Sequence, residues 1–167
     1  MLAYLLILAG FALRLLPLDH NAAPIISIAV FSGAYLDRRI APWVPLAVMV
    51  LTDAIIGFHD IIPFTWGGFL IVGIAGTLLK GRTGPLGVFF MTLGGVLMFF
   101  VISNFGVWLF WYPPTFQGLL NCYAMALPFL RNMIAGNLIF SAILFSVYGF
   151  FVRSFGGSRY SNFLLAR

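Results

Sequence analysis

Glutamate is absent from this chain, lysine occurs once, at position 80, and cysteine once, at position 122. Charged residues of either sign fill only 8% of the 167 positions. Each shortage excludes something. A single thiol cannot support an intrachain disulfide framework. Without Glu there is no His-Glu-x-x-His zinc-protease helix. No glycine-rich phosphate loop ending in Lys is present, so the chain cannot draw energy from ATP by itself. The nucleophile turn of a membrane serine protease is missing too, since Ser32-Gly33 follows Val30-Phe31 rather than a Gly-x pair. Catalysis is not expected, and nothing calls for a cofactor. Above all, the polar side chains are too few to coat a water-soluble domain.

What is abundant is apolar: 62% of residues are hydrophobic, and nineteen are Phe. A spanning helix needs roughly 20 apolar residues to cross a hydrocarbon core about 30 Å thick. The uncharged stretches therefore predict an all-α, integral membrane six-helix bundle in a single domain covering 1–167, with spans near 1–16, 22–36, 41–57, 61–79, 86–109 and 132–152. The first run lacks a basic leader and meets Arg14 instead of a small-residue cleavage site, so it reads as a retained helix. Residues 118–130, GLLNCYAMALPFL, are too short to cross and contain Pro128; they predict a separate short helix on one face.

The basic residues mark the topology. Six spans put Arg38, Arg39, Lys80, Arg82, Arg153, Arg159 and Arg167 on one side, with only Arg14 and Arg131 opposite. The positive-inside rule makes the first side cytoplasmic, with both termini there. In a soluble protein a net charge of +5 would suggest nucleic acid; here the basic residues separate apolar runs, and no nucleic-acid partner is expected. Trp43, Trp66 and Trp108 fall near span ends, the usual place for interfacial aromatics. Small residues recur at Ala29, Gly33 and Ala34, at Gly67, Gly68, Gly73 and Gly76, and at Gly87, Gly94 and Gly95, which predicts close helix packing.

Asp53 is the most informative position, because it lies inside the third apolar run about one turn from the outer end. A carboxylate there must be paired or wetted. Either it forms a structural ion pair with Arg131, or it lines an outward-facing wet cavity and meets a ligand. Asn104, Asn121, Asn132 and Asn137 also gather at the outer half. Buried amides serve as interhelical glue by default. Together with Asp53, His59, Asp60, Trp111, Tyr112, Tyr123 and Arg131, however, they would make an aromatic-walled pocket with a few polar contacts. His20, His59 and Cys122 are the conceivable metal ligands, but none of them are spaced as ligands, and solvated histidines are the simpler reading.

The segments Asn21 to Tyr35 and Val44 to Asp53, then Gly57-Phe58-His59, resemble a family of uncharacterised bacterial transport-type membrane proteins. So do Ser103 to Trp108, Tyr112-Pro113, Cys122-Tyr123 and Ala126 to Phe129 with Arg131-Asn132. The Asn-Pro opening, the Phe-x-Gly-Ala turn and the intramembrane Asp also resemble the substrate-binding S components of energy-coupling factor vitamin transporters. That resemblance implies a vitamin-like ligand held near the outer loops. It also implies a transmembrane coupling subunit with ATPases as partner. In place of the Ala-x-x-x-Ala docking face of S components, the first run has Ala3, Ala9, Gly10 and Ala12. The expected function is the substrate-binding membrane subunit of a micronutrient importer. The rival expectation is a non-catalytic structural subunit of a larger membrane complex, with its many Phe side chains facing lipid or neighbouring subunits.

Overall fold

Proline and glycine punctuate this chain where its helices start and stop. In the computed structural model, which describes residues 1–15 and 23–155, Pro42 stands at the N-cap of one helix and Pro85 opens another. Proline is tolerated there because the first turn has no use for its missing N–H. Gly57 ends a helix at φ 122°, a backbone conformation that a side chain would strain. The described residues form six α-helices: α1 (Leu2–Arg14), α2 (Ile25–Tyr35), α3 (Trp43–Ile56), α4 (Ile62–Gly76), α5 (Pro85–Trp111) and α6 (Phe116–Phe155). A 3-10 turn, Thr77–Leu79, prolongs α4.

Three of these segments, Ile62–Leu79, Pro85–Trp111 and Phe116–Phe155, are long and apolar enough to cross a bilayer. The first three helices are shorter, at 13, 11 and 14 residues. Leu8, Ile55, Phe90 and Phe150 are among the many large apolar side chains exposed on the outside. Such a surface suits lipid far better than water.

The bundle is organised around α2. Every residue from Ile25 to Ala34 is buried, so this helix has no outward face, and α1, α3, α4, α5 and α6 all pack on it. Its approach to α4 depends on a glycine pair. A Cβ at Gly33 would collide with the Gly76 backbone, and one at Gly76 would sit 2.8 Å from the Ala29 carbonyl oxygen. By contrast Gly67 and Gly94 face open space, so only some of the small residues are packing surfaces.

The expected short helix at 118–130 is not a separate element: α6 is one helix of 40 residues with Pro128 inside it. The reason is a continuous seam. Gly118, Cys122, Ala126, Met133, Asn137, Ser141, Leu144 and Tyr148 are all buried and recur on one face through the proline. Pro128 itself is exposed, so the carbonyl it leaves unbonded faces outward, and burial of the seam outweighs the local cost.

Lys80 Nζ donates to the Leu36 carbonyl at 3.0 Å, tying the α2–α3 connection to the α4–α5 connection. Arg153 lines one cavity with Thr83 and Pro85, so Arg38, Lys80, Arg82 and Arg153 share one end, as the charge pattern predicts. Arg14, His59 and Trp111 meet at the other. Arg159 and Arg167 lie outside the described residues.

Gly33→Leu should be the most disruptive single change in the bundle, because a rigid backbone cannot yield as a side chain would. We expect a loss of about 3 kcal/mol or more, at the upper end of overpacking effects. Thermal unfolding in detergent should show it, whereas Gly94→Leu, facing open space, should unfold close to the parent temperature.

Candidate functional site

Asp53 sits on the last turn of α3 with a side chain only 3% exposed. Such a carboxylate needs partners for both oxygens, and it has them. Arg14, the last residue of α1, donates from Nη2 to Oδ1 at 2.8 Å, and Trp66 of α4 donates from Nε1 to Oδ2 at 2.9 Å. The same guanidinium donates from Nε to the Thr52 hydroxyl oxygen at 2.7 Å, and that hydroxyl lies 2.8 Å from the Val48 carbonyl. Two consecutive residues of α3 thus fix one arginine, and three helices are joined at one buried charge pair.

One of the two sequence expectations paired Asp53 with Arg131. The structure pairs it with Arg14 instead, because the uninterrupted α6 carries Arg131 on an exposed face. Trp66, expected as an interfacial anchor, is spent on the carboxylate.

Beside this pair lies a cavity of about 330 Å³ lined by Arg14, Ala23, Ile25, Ile26, Met49, His59, Ile61, Thr65, Phe69, Phe99, Trp111, Met133 and Asn137. Asp53 is not in its wall; the carboxylate lies behind Arg14 and holds it toward the space. His59 Nε2 is 3.8 Å from Asp53 Oδ2, beyond hydrogen-bond reach. Its Nδ1 is buried and, among the described residues, without a partner. The imidazole therefore lines the wall, while this nitrogen is closed off from the open space.

Asn137 shapes the opposite wall. Its Oδ1 accepts the Ser27 backbone N–H at 3.1 Å, its Nδ2 donates to the Met133 carbonyl at 3.0 Å, and the Ser27 hydroxyl donates to the Asn137 carbonyl at 2.8 Å. The N-cap of α2 is Pro24, which has no side-chain oxygen, so an amide from α6 caps the first turn in its place. That first turn, with the partial positive charge of a helix N-terminus, borders the cavity through Ile25 and Ile26.

A second cavity of about 310 Å³ shares Ile61, Thr65, Phe99, Trp111 and Met133 with the first and extends to Asn104, Tyr112 and Cys122. The two make one composite cleft. Asn104 Nδ2 donates to the Phe100 carbonyl of its own helix at 2.8 Å, and Cys122 Sγ lies 3.5 Å from the Asn104 carbonyl.

Of the candidates from sequence, His59, Asn104, Trp111 and Tyr112 therefore reach the cleft, and Asp53 supports it. Tyr123 donates to the Val101 carbonyl at 2.7 Å, outside both cavities. Asn121 accepts from Gln117 on an exposed face, and Arg131, Asn132 and Asp60 are exposed and line neither cavity. His20 and Asn21 lie outside the described residues. Among the described residues no three His, Cys, Asp or Glu side chains gather; His59 and Cys122 line different halves of the cleft. Arg14 was not a site candidate in the sequence. The signal available was depth: it closes the first apolar run at the end where Asp53 sits.

The described residues form an all-α protein with an apolar exterior, and three of its segments are long and apolar enough to cross a bilayer. The chain belongs to the family of unknown function DUF6580, which matches it over residues 1–159. No curated protein and no solved structure matches it.

Removing one member of the buried pair strands the other. Asp53→Ala should destabilise by about 3 kcal/mol, as for other buried pairs that lose a partner, and Trp66→Phe by about 2 kcal/mol for its single charge-assisted bond. The double change Arg14→Met with Asp53→Leu should recover part of the Asp53→Ala loss. Thermal unfolding of the four proteins in one detergent measures all three expectations; a double variant no better than the single would show that the charges are not coupled.

Proposed function

We propose that this protein is the substrate-binding membrane subunit of a small-molecule importer, with the composite cleft as its binding site. The observation that carries this reading is the cleft itself. It couples aromatic and thioether walls to a few fixed polar groups, the usual make-up of a small-ligand site. Phe69, Phe99 and Trp111 suit a flat ligand, while Arg14 and the N-terminus of α2 suit an acceptor or anionic group on it. A vitamin-like compound has both features. The rival reading as a structural subunit calls for a packed outer half, and the cleft speaks against that.

In this reading all six helices belong to the membrane domain. The shortness of α1, α2 and α3 is accommodated because their outer ends border a wet cleft, where backbone groups need not be sealed from water by lipid-length helices. The basic end faces the cytoplasm of a bacterial inner membrane by the positive-inside rule, and the cleft opens outward. Since the sequence has no phosphate loop, energy would come from a partner, a transmembrane coupling subunit with ATPases.

The test has two parts. Small molecules retained through gentle purification are identified by mass spectrometry, and their affinity is then measured for Arg14→Ala, Trp111→Ala and Arg131→Ala. Loss of an aromatic or arginine anchor typically costs tenfold or more, about 2 kcal/mol, so the first two should weaken binding by that much and the third should not. No retained compound, or equal affinity in all three, would sink the assignment. Orientation is read separately by thiol labelling on a Cys122→Ala background. Arg39→Cys should react only from the cytoplasmic side and Tyr112→Cys only from outside.

A further inference from the structure

A larger cavity lies at the basic end, away from the cleft. Its volume is about 710 Å³, more than twice that of either part of the cleft. It runs along α6 from Leu138 to Arg153, about 22 Å at the ordinary helical rise. Phe89, Leu138, Phe145 and Phe150 form its walls. Ala142, Ser146, Phe89 and Phe150 are exposed, so the groove opens sideways on the apolar exterior. Its buried hydroxyls are already satisfied, Ser141 with Thr92 at 2.9 Å. The long part of this groove therefore offers nothing that a polar metabolite could use.

The end at Arg153 is different. Arg153 lies in the last turn of α6, and Thr83 and Pro85 bring the start of α5 to the same place. That helix has no acidic residue in its first turn and no side-chain cap, so its positive end is uncompensated. Tyr35 lines the same wall, and Lys80 and Arg82 are close in sequence. The nearby carboxylate, Asp37, accepts the Arg39 backbone N–H.

We propose that this groove binds an anionic phospholipid of the leaflet at the basic end. An acyl chain lies between α5 and α6, and the phosphate meets Arg153 and the N-terminus of α5. Two physical facts select this occupant. At that depth the solvent is hydrocarbon chain, which fills a lateral apolar groove without a desolvation cost. The Arg153 guanidinium at the groove's end then favours an anionic headgroup over a zwitterionic one. The inference stands independently of the small-molecule cleft.

The experiment uses the full chain, stripped of lipid by detergent exchange and examined by native mass spectrometry with dioleoyl phosphatidylglycerol, dioleoyl phosphatidylcholine or soluble glycerol phosphate. Phosphatidylglycerol should be retained in preference to phosphatidylcholine, and glycerol phosphate should not be retained. Arg153→Gln should lower phosphatidylglycerol retention about fivefold, the effect of one basic residue near an anionic headgroup, and leave phosphatidylcholine unchanged. Ala142→Trp, which fills the groove, should lower both lipids. Arg39→Gln makes the same charge change at the same end outside the groove and should have no effect.

Equal losses in Arg39→Gln and Arg153→Gln would show diffuse attraction and overturn the site, as would full lipid retention by a folded Ala142→Trp protein. Glycerol phosphate bound as firmly as the lipid would overturn the lipid assignment. Thermal unfolding establishes which variants are folded. Should Ala142→Trp fail that check, the two arginine variants decide the matter.

Discussion

A helix with no outward face must be enclosed on every side, and α2 is such a helix. Its buried run from Ile25 to Ala34 obliges five other helices to surround it. In lipid the drive for this enclosure is close packing and hydrogen bonding, since hydrocarbon solvates an apolar face as well as protein does. Both are present. Gly33 and Gly76 let two backbones touch, Ser32 Oγ donates to the Ala41 carbonyl at 3.2 Å, and Phe31 packs edge-on against Phe145 and Tyr148. The packed aromatic half of the bundle and the hollow half share this one axis.

The hollow exists because polar groups occupy the other end of α2. Arg14, Asp53, Trp66 and Asn137 are held by one another and by backbone, and cannot collapse into the space beside them. An apolar lining alone would close by rotamer changes; a hydrogen-bonded frame keeps it open. Holding Arg14 through two donors also fixes the plane of its guanidinium, which a lysine ammonium, a single point charge, could not reproduce.

Much of this was legible in the residues. A lone Asp in an apolar run announces a buried polar site, and the loop arginines announce which ends lie together, as the Lys80 contact with Leu36 shows. The partner of Asp53 was not legible. Arg14 and Arg131 lie at the same end by span counting, and the choice between them depends on helix rotation, which only tertiary packing fixes. Pro128 misled for a related reason. Its local preference argues for a break, while the seam from Cys122 through Ala126 to Met133 and Asn137 argues for continuity, and the seam prevailed. Trp66 looked like an interfacial anchor because the sequence does not reveal that its indole faces a carboxylate one helix away.

The amide cap on α2 bears on how the chain assembles. Ser27 and Asn137 are 110 residues apart, so the acceptor for that backbone N–H is synthesised only with the last helix. Until then the most deeply buried segment carries an unmet donor. Assembly of the described helices therefore resembles a ring closed by α6: until that helix docks, the first turn of α2 lacks this acceptor.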